Sequence, residues 1–98
     1  MDQVETGRIE ALLRLVVDPT ARLDERDDAA MDLAASDDPR ARSVLIGIAS
    51  NSASEYVLAA SAGESLGEIA TRTGALADEE VALLRSDAGA EYRAAHNR

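Results

Sequence analysis

The residues best placed to do chemistry are acidic. Asp24, Asp28 and Asp32 stand four apart, with Glu25 and Asp27 beside them. On a helix that spacing stacks the three aspartates along one face, where like charges cost a few tenths of a kcal/mol per pair. Glu64 and Glu68 repeat the spacing further along. Carboxylates arranged this way attract a basic protein surface and steer its approach. The acids nearest a helix start, Asp24 and Glu25, are also favoured there by the helix dipole. A calcium loop is a poor match, because it needs alternating ligands around a turn with a central glycine, and no glycine interrupts Asp24 to Asp32. Catalysis fares no better, since cysteine is absent and any Ser-His-Asp arrangement would need His96, the only histidine, in the tail of the sequence. We expect partner binding by Asp24, Glu25, Asp27, Asp28, Asp32, Glu64 and Glu68, with Asp78 to Glu80 as further candidates. We expect no catalytic residue, no metal and no cofactor.

Composition bounds the partner. The chain has 98 residues and a formal net charge of -9, from 19 acids against 10 arginines and no lysine. That sign disfavours direct contact with nucleic acid or an anionic membrane and favours a basic protein. Without cysteine nothing calls for an oxidising compartment. The opening Met1-Asp2-Gln3-Val4-Glu5 is acidic where an export signal is basic, and the longest apolar run, Val44 to Ala49, is far short of the ~20 residues that span a bilayer. The expectation is a single cytoplasmic domain over residues 1–98.

The elements that must position these acids are helices. Apolar residues recur at helical spacing almost throughout, and no alternating run suggests a strand. Asp2 can cap a first helix over about 3–17, with Glu5 in a capping box. A second helix over about 21–35 is expected to bury Leu23, Ala30, Met31 and Ala34. Asp38 and Pro39 open a third over about 39–49, with Ala41, Val44, Leu45, Ile48 and Ala49 on one face. Ser54 is available to cap a fourth, closed by Thr73-Gly74. A fifth over about 78–85 contributes Val81 and Leu84, and a sixth runs over about 88–95 before a frayed His96-Asn97-Arg98. Leu13, Val16, Leu33, Val44, Leu45, Ile48, Leu66, Ile69 and Leu84 are the expected core. Gly63 and Gly67, four apart inside a helix, mark close approach of a neighbouring helix. Tyr56 and Tyr92 read as packing residues.

Shifting the chain by 33 residues places Leu23 on Tyr56, Ala30 on Gly63 and Leu33 on Leu66, with Leu12-Leu13 near Leu45-Ile46. Repetition of helix pairs at such a period is the mark of an α-solenoid. The stretch Ala62-Gly63-Glu64-Ser65-Leu66-Gly67-Glu68-Ile69-Ala70 resembles the core of bacterial HEAT-like repeats. Asp37-Asp38-Pro39-Arg40-Ala41-Arg42 and Ala90-Glu91-Tyr92-Arg93-Ala94-Ala95 are similar to the opening of such a repeat. The resemblance implies an all-α, short right-handed α-solenoid of HEAT-like hairpins with about five or six helices.

A narrower resemblance, through Glu25 to Leu33 and Gly63 to Ile69, is to short HEAT-like immunity proteins of contact-dependent and polymorphic toxin systems. Ala60-Ser61-Ala62 departs from the aromatics and cysteine often found there, which leaves the toxin class open. The resemblance implies an immunity protein that covers the active or substrate-binding surface of a cognate toxin domain. The alternative is a HEAT-like scaffold or adaptor module unconnected with toxins.

Overall fold

The computed structural model describes residues 3–98, with side chains from Gly7 onward. The cap expected at Asp2 and the capping-box role of Glu5 lie outside the described residues. Six α-helices follow in order: α1 (Gln3–Val16), α2 (Leu23–Asp32), α3 (Pro39–Ser50), α4 (Tyr56–Thr73), α5 (Asp78–Leu83) and α6 (Ser86–His96), with a 3-10 turn at Leu33–Ala35. No strand occurs among the described residues.

Local chemistry explains most boundaries. The Asp38 carboxylate accepts from the Arg40 N–H at 2.9 Å, and Pro39 sits just inside α3, so a cap and a preset φ start the helix together. Gly74 stops α4 at φ 115° while its N–H still reaches the Ala70 carbonyl at 2.9 Å; only glycine takes that backbone without strain. Glu80 folds back to accept from the Ala77 N–H at 2.9 Å, and three acids occupy the first turn of α5, where the dipole favours them.

Three boundaries differ from expectation. Helix α2 ends at Asp32 and tightens into the 3-10 turn instead of running to Ala35. Ser54 does not cap α4; its hydroxyl donates to the Ile48 carbonyl at 2.9 Å, closing α3 instead. Helix α5 stops at Leu83 because the Leu84 backbone is extended, and the Arg85 N–H bonds to the Ala49 carbonyl at 3.0 Å.

Helix α4 is central, packed against α2, α3 and α6. Ser65 Oγ, almost fully buried, donates to the Ala30 carbonyl at 2.7 Å, and Arg72 reaches the Ala34 carbonyl at 2.7 Å, so α2 and α4 run in the same direction. On the other side a Cβ at Gly63 would fall on the Ala88 carbonyl, 2.8 Å from its carbon. One at Gly67 would lie 2.7 Å from the Tyr92 oxygen and 2.5 Å from Ala95 Cβ. Helix α6 therefore lies parallel to α4 with the two backbones nearly touching, which is the close approach expected of these glycines.

The core runs continuously from Val16 to Tyr92 and is built of Ala, Leu, Ile and Val with one tyrosine. Val16, Leu33, Leu45, Ile48, Leu66 and Ile69 are buried as expected, whereas Leu13, Val44, Val81 and Leu84 are half-buried at its margin. Leu23 and Met31 do not join it, being 38% and 44% exposed. Helix α2 instead turns Ala29 and Ala30 inward, and the following 3-10 turn buries Leu33 and Ala34. Tyr92 is buried, as expected of a packing residue; Leu76 is a buried core residue that the periodicity did not single out, and its N–H donates to the Tyr92 hydroxyl at 3.0 Å. Helix α6 includes His96, which stacks on Tyr92 with ring centroids 5.6 Å apart, and Arg98 reaches Glu64 at 3.3 Å on the surface.

Arginines join the helix ends. Arg26 Nε donates to the Val16 carbonyl that closes α1 at 3.1 Å, Arg42 to the Gly74 and Ala75 carbonyls past α4 at 3.0 and 3.2 Å, and Arg85 to the Ser54 carbonyl past α3 at 2.7 Å. Each satisfies a carbonyl that a helix end or loop leaves open.

One substitution should act with opposite signs at two sites. Nothing lies within 4 Å of the position a Cβ would take at Gly47, so Gly47→Ala should raise unfolding free energy by roughly 0.5–1 kcal/mol. Gly63→Ala forces α6 away and should cost about 1–3 kcal/mol or more. Urea unfolding of the two variants checks both; equal effects would mean that α4 and α6 are not in backbone contact.

Acid should weaken the start of α3. The Asp38 carboxyl is held below its ordinary range, first by the Arg40 side chain and then by the Arg40 N–H. A lowered folded value adds stability above the unfolded value of about 3.9 and loses it as pH falls through the folded value. Asp38→Asn keeps a cap acceptor without the charge, so its melting temperature should fall less than that of wild type between about pH 5 and pH 2. Parallel acid limbs would remove Asp38 from the effect.

Candidate functional site

Two ridges of α2 carry the acids. Residues four apart lie in a row along a helix, so Asp24, Asp28 and Asp32 form one ridge and Leu23, Asp27 and Met31 form the next. The first ridge is exposed throughout, while in the second a half-buried Asp27 lies between two exposed apolar side chains. Met31 and Leu23, expected in the core, thus stand beside the acids. A signal for this was present, since eight-residue spacing with an aspartate midway matches a mixed surface row as well as a core stripe.

Several of the acids already have local roles. Asp24 is paired with Arg22 at 2.6 Å, and the hydrogen bond from that guanidinium is the first cause holding its carboxyl below the usual range. Glu25 accepts from the Arg22 N–H at 3.3 Å, closing the first turn. Asp32 faces Arg8 at 3.5 Å. All three sites are solvent-exposed, where such pairs are worth little and exchange easily. Asp28 makes no ion pair among the described residues. Asp27 is the unusual member, because its Oδ1 is shielded from solvent with no hydrogen-bond partner among the described residues. A buried oxygen in that state carries a desolvation cost.

Glu64 and Glu68 sit on α4 and are held by the chain's own end, Arg98, at 3.3 and 3.9 Å. They are tied to α6 and not to the α2 ridges. In the segment Gly63 to Ile69, Gly63 and Gly67 admit α6, Ser65 bonds to α2, and Leu66 and Ile69 are core. Only Glu64 and Glu68 face outward. Tyr56, expected to pack, is 68% exposed at the start of α4, and Val57 beside it is also open.

Among the described residues no group of three His, Cys, Asp or Glu side chains is arranged to hold a metal ion, and no helix is long and apolar enough to cross a membrane. Comparison of the chain with protein-family models, curated proteins and solved structures finds no match.

Removing the shielded carboxylate should not harm the fold. Asp27→Ala deletes an unpartnered buried oxygen and substitutes the best helix former, so the melting temperature should hold or rise. A clear drop would mean that Asp27 is satisfied within the folded chain.

Proposed function

We propose that this protein binds a basic partner protein through the α2 surface, and that it acts as an immunity protein covering the substrate-binding surface of a toxin domain. The observation that carries the reading is Asp27, a shielded carboxylate oxygen without a donor, flanked by exposed Leu23 and Met31 and next to the aspartate ridge. An arginine side chain matches that arrangement: its stem lies along Leu23 or Met31 while the guanidinium bonds Asp27 and Asp28. Charge of this sign speeds encounter with a basic surface and occludes a phosphate-binding groove within it. The short right-handed α-solenoid of HEAT-like hairpins belongs to the same proposal. It is supported by the parallel run of α2, α4 and α6 and by the starts of α2 and α4 at Leu23 and Tyr56, 33 residues apart as 56 minus 23. A cytoplasmic location fits a protein that guards its own cell.

The test begins with capture of the partner by the tagged protein in its native host, followed by association kinetics at two ionic strengths. Asp28→Arg should slow association with the captured protein by roughly tenfold at low salt and less at high salt. Asp27→Ala should mainly speed dissociation. Co-expression of the captured partner alone should arrest growth, and this protein should restore it. Unchanged rates in both variants would remove the α2 surface from the interface, and a partner harmless to growth would favour the scaffold alternative.

A further inference from the structure

The exposed apolar side chains of α2 border a second helix. Asp32 faces Arg8 of α1, and at 3.6 residues per turn Asp27 lies about 140° round the helix from it. The row of Leu23, Asp27 and Met31 therefore points away from α1, on the side where Ser65 of α4 bonds the Ala30 carbonyl. On α4 the row at four-residue spacing that contains Ser65 runs back through Ser61 to Val57. Ser61 and Ser65 are buried, and Val57 is 43% exposed. Leu23 and Val57 thus stand at the same end of a parallel helix pair, with Met31 further along, and form an apolar strip open to solvent.

Charge on this side survives a count of every partner. Asp24 faces Arg22, Asp32 faces Arg8, Asp37 faces Arg72, and Glu64 and Glu68 share Arg98. Arg26, the one arginine within α2, is turned to the Val16 carbonyl of α1. Asp27, Asp28 and one carboxylate of the Glu64 and Glu68 pair are left over among the described residues, so a surplus of negative charge rims the strip. A second copy of a chain with net charge -9 is repelled here, whereas a basic segment is drawn in.

Geometry favours a helix as that segment. Among the described residues there is no strand, and so no sheet edge for an extended chain to join. Leu23 and Met31 are eight residues apart, about 12 Å along α2, which is the separation of side chains eight residues apart on a second helix. Asp27 lies midway, so the complement carries apolar, basic and apolar side chains at i, i+4 and i+8.

We propose, resting on the α2 reading above, that the partner's contact element is a basic amphipathic helix lying along the strip between α2 and α4. Its apolar residues meet Leu23, Met31 and Val57, and its arginines stand opposite Asp27 and Asp28. The probe is a capped peptide of about 16 residues, long enough to populate a helix, with leucine at i, i+7 and i+8, arginine at i+3 and i+4, and alanine and glutamine elsewhere. One control carries glutamate for each arginine. A second keeps the composition but scatters the leucines round the helix. Titrated into the full-length, isotope-labelled protein, the probe should shift the amide resonances of Leu23, Met31 and Val57, and both controls should bind roughly tenfold more weakly. Met31→Gln and Val57→Ser replace exposed apolar side chains by polar ones of similar helix propensity. Both variants should melt close to wild type and lose roughly three- to tenfold in affinity for the probe.

No shift at millimolar probe would overturn the proposal, as would equal binding of either control. Unchanged affinity in Val57→Ser would confine contact to α2 and overturn it too. Concentration-dependent shifts at the same amides without peptide would identify a second copy of this chain as the occupant, with the same consequence. Failure of the peptide while Asp28→Arg still slows association with the captured protein removes the helix alone. Unchanged association in that variant removes the α2 reading and the helix with it.

Discussion

The structure depends on the contact between the backbones of α4 and α6 at Gly63 and Gly67. The chain has no phenylalanine or tryptophan to fill wide gaps, so its helices can exclude water only by coming close. Two glycines on one face of α4, met by Ala88 and Ala95, allow this. With α6 seated, Tyr92 is buried, its hydroxyl accepts from the Leu76 N–H, and His96 has a ring to stack on. Dispersion rises steeply as surfaces meet, so small side chains at close range replace large ones at longer range. Such a core has little tolerance for added atoms.

Close packing of short helices leaves many carbonyl ends near one another, and arginine resolves them. Arg26, Arg42, Arg72 and Arg85 each donate to a carbonyl at or beyond the end of a neighbouring helix. The guanidinium fork can do this while also meeting a carboxylate, as Arg72 does with Asp37 and Arg85 with Asp87. The same distribution decides which acids are left over. Asp37 and Asp87 are engaged in joints, Asp24 and Asp32 face Arg22 and Arg8, and on α2 Asp27 and Asp28 are left without an arginine among the described residues.

The exposed surfaces differ in how far their charges are matched. The α2 ridges set Asp27 and Asp28, without arginine partners among the described residues, beside exposed Leu23 and Met31, whereas between α1 and α3 Arg40 is shared by Glu10 and Asp38 and Arg26 has Asp18 nearby.

By itself the sequence determined what depends on neighbours along the chain. The helical class, the Asp38-Pro39 start of α3, the Gly74 stop of α4 and the stripe through Ala41, Leu45, Ile48 and Ala49 all follow from periodicity, capping and backbone preference within a few residues. The acids at four-residue spacing were equally legible, as was the need of Gly63 and Gly67 for a close neighbour. Only tertiary structure decided what that neighbour is, and which rotation of α2 faces inward. Helix α2 has only four apolar residues, Leu23, Ala29, Ala30 and Met31, spread around more than one face, so local spacing leaves its rotation open, and packing against α4 turns Ala29 and Ala30 inward. That rotation exposed Leu23 and Met31 and shielded Asp27. The joints made by the arginines and the meeting of Leu76 with Tyr92 were also tertiary outcomes, because each links residues ten or more positions apart whose meeting no local pattern encodes.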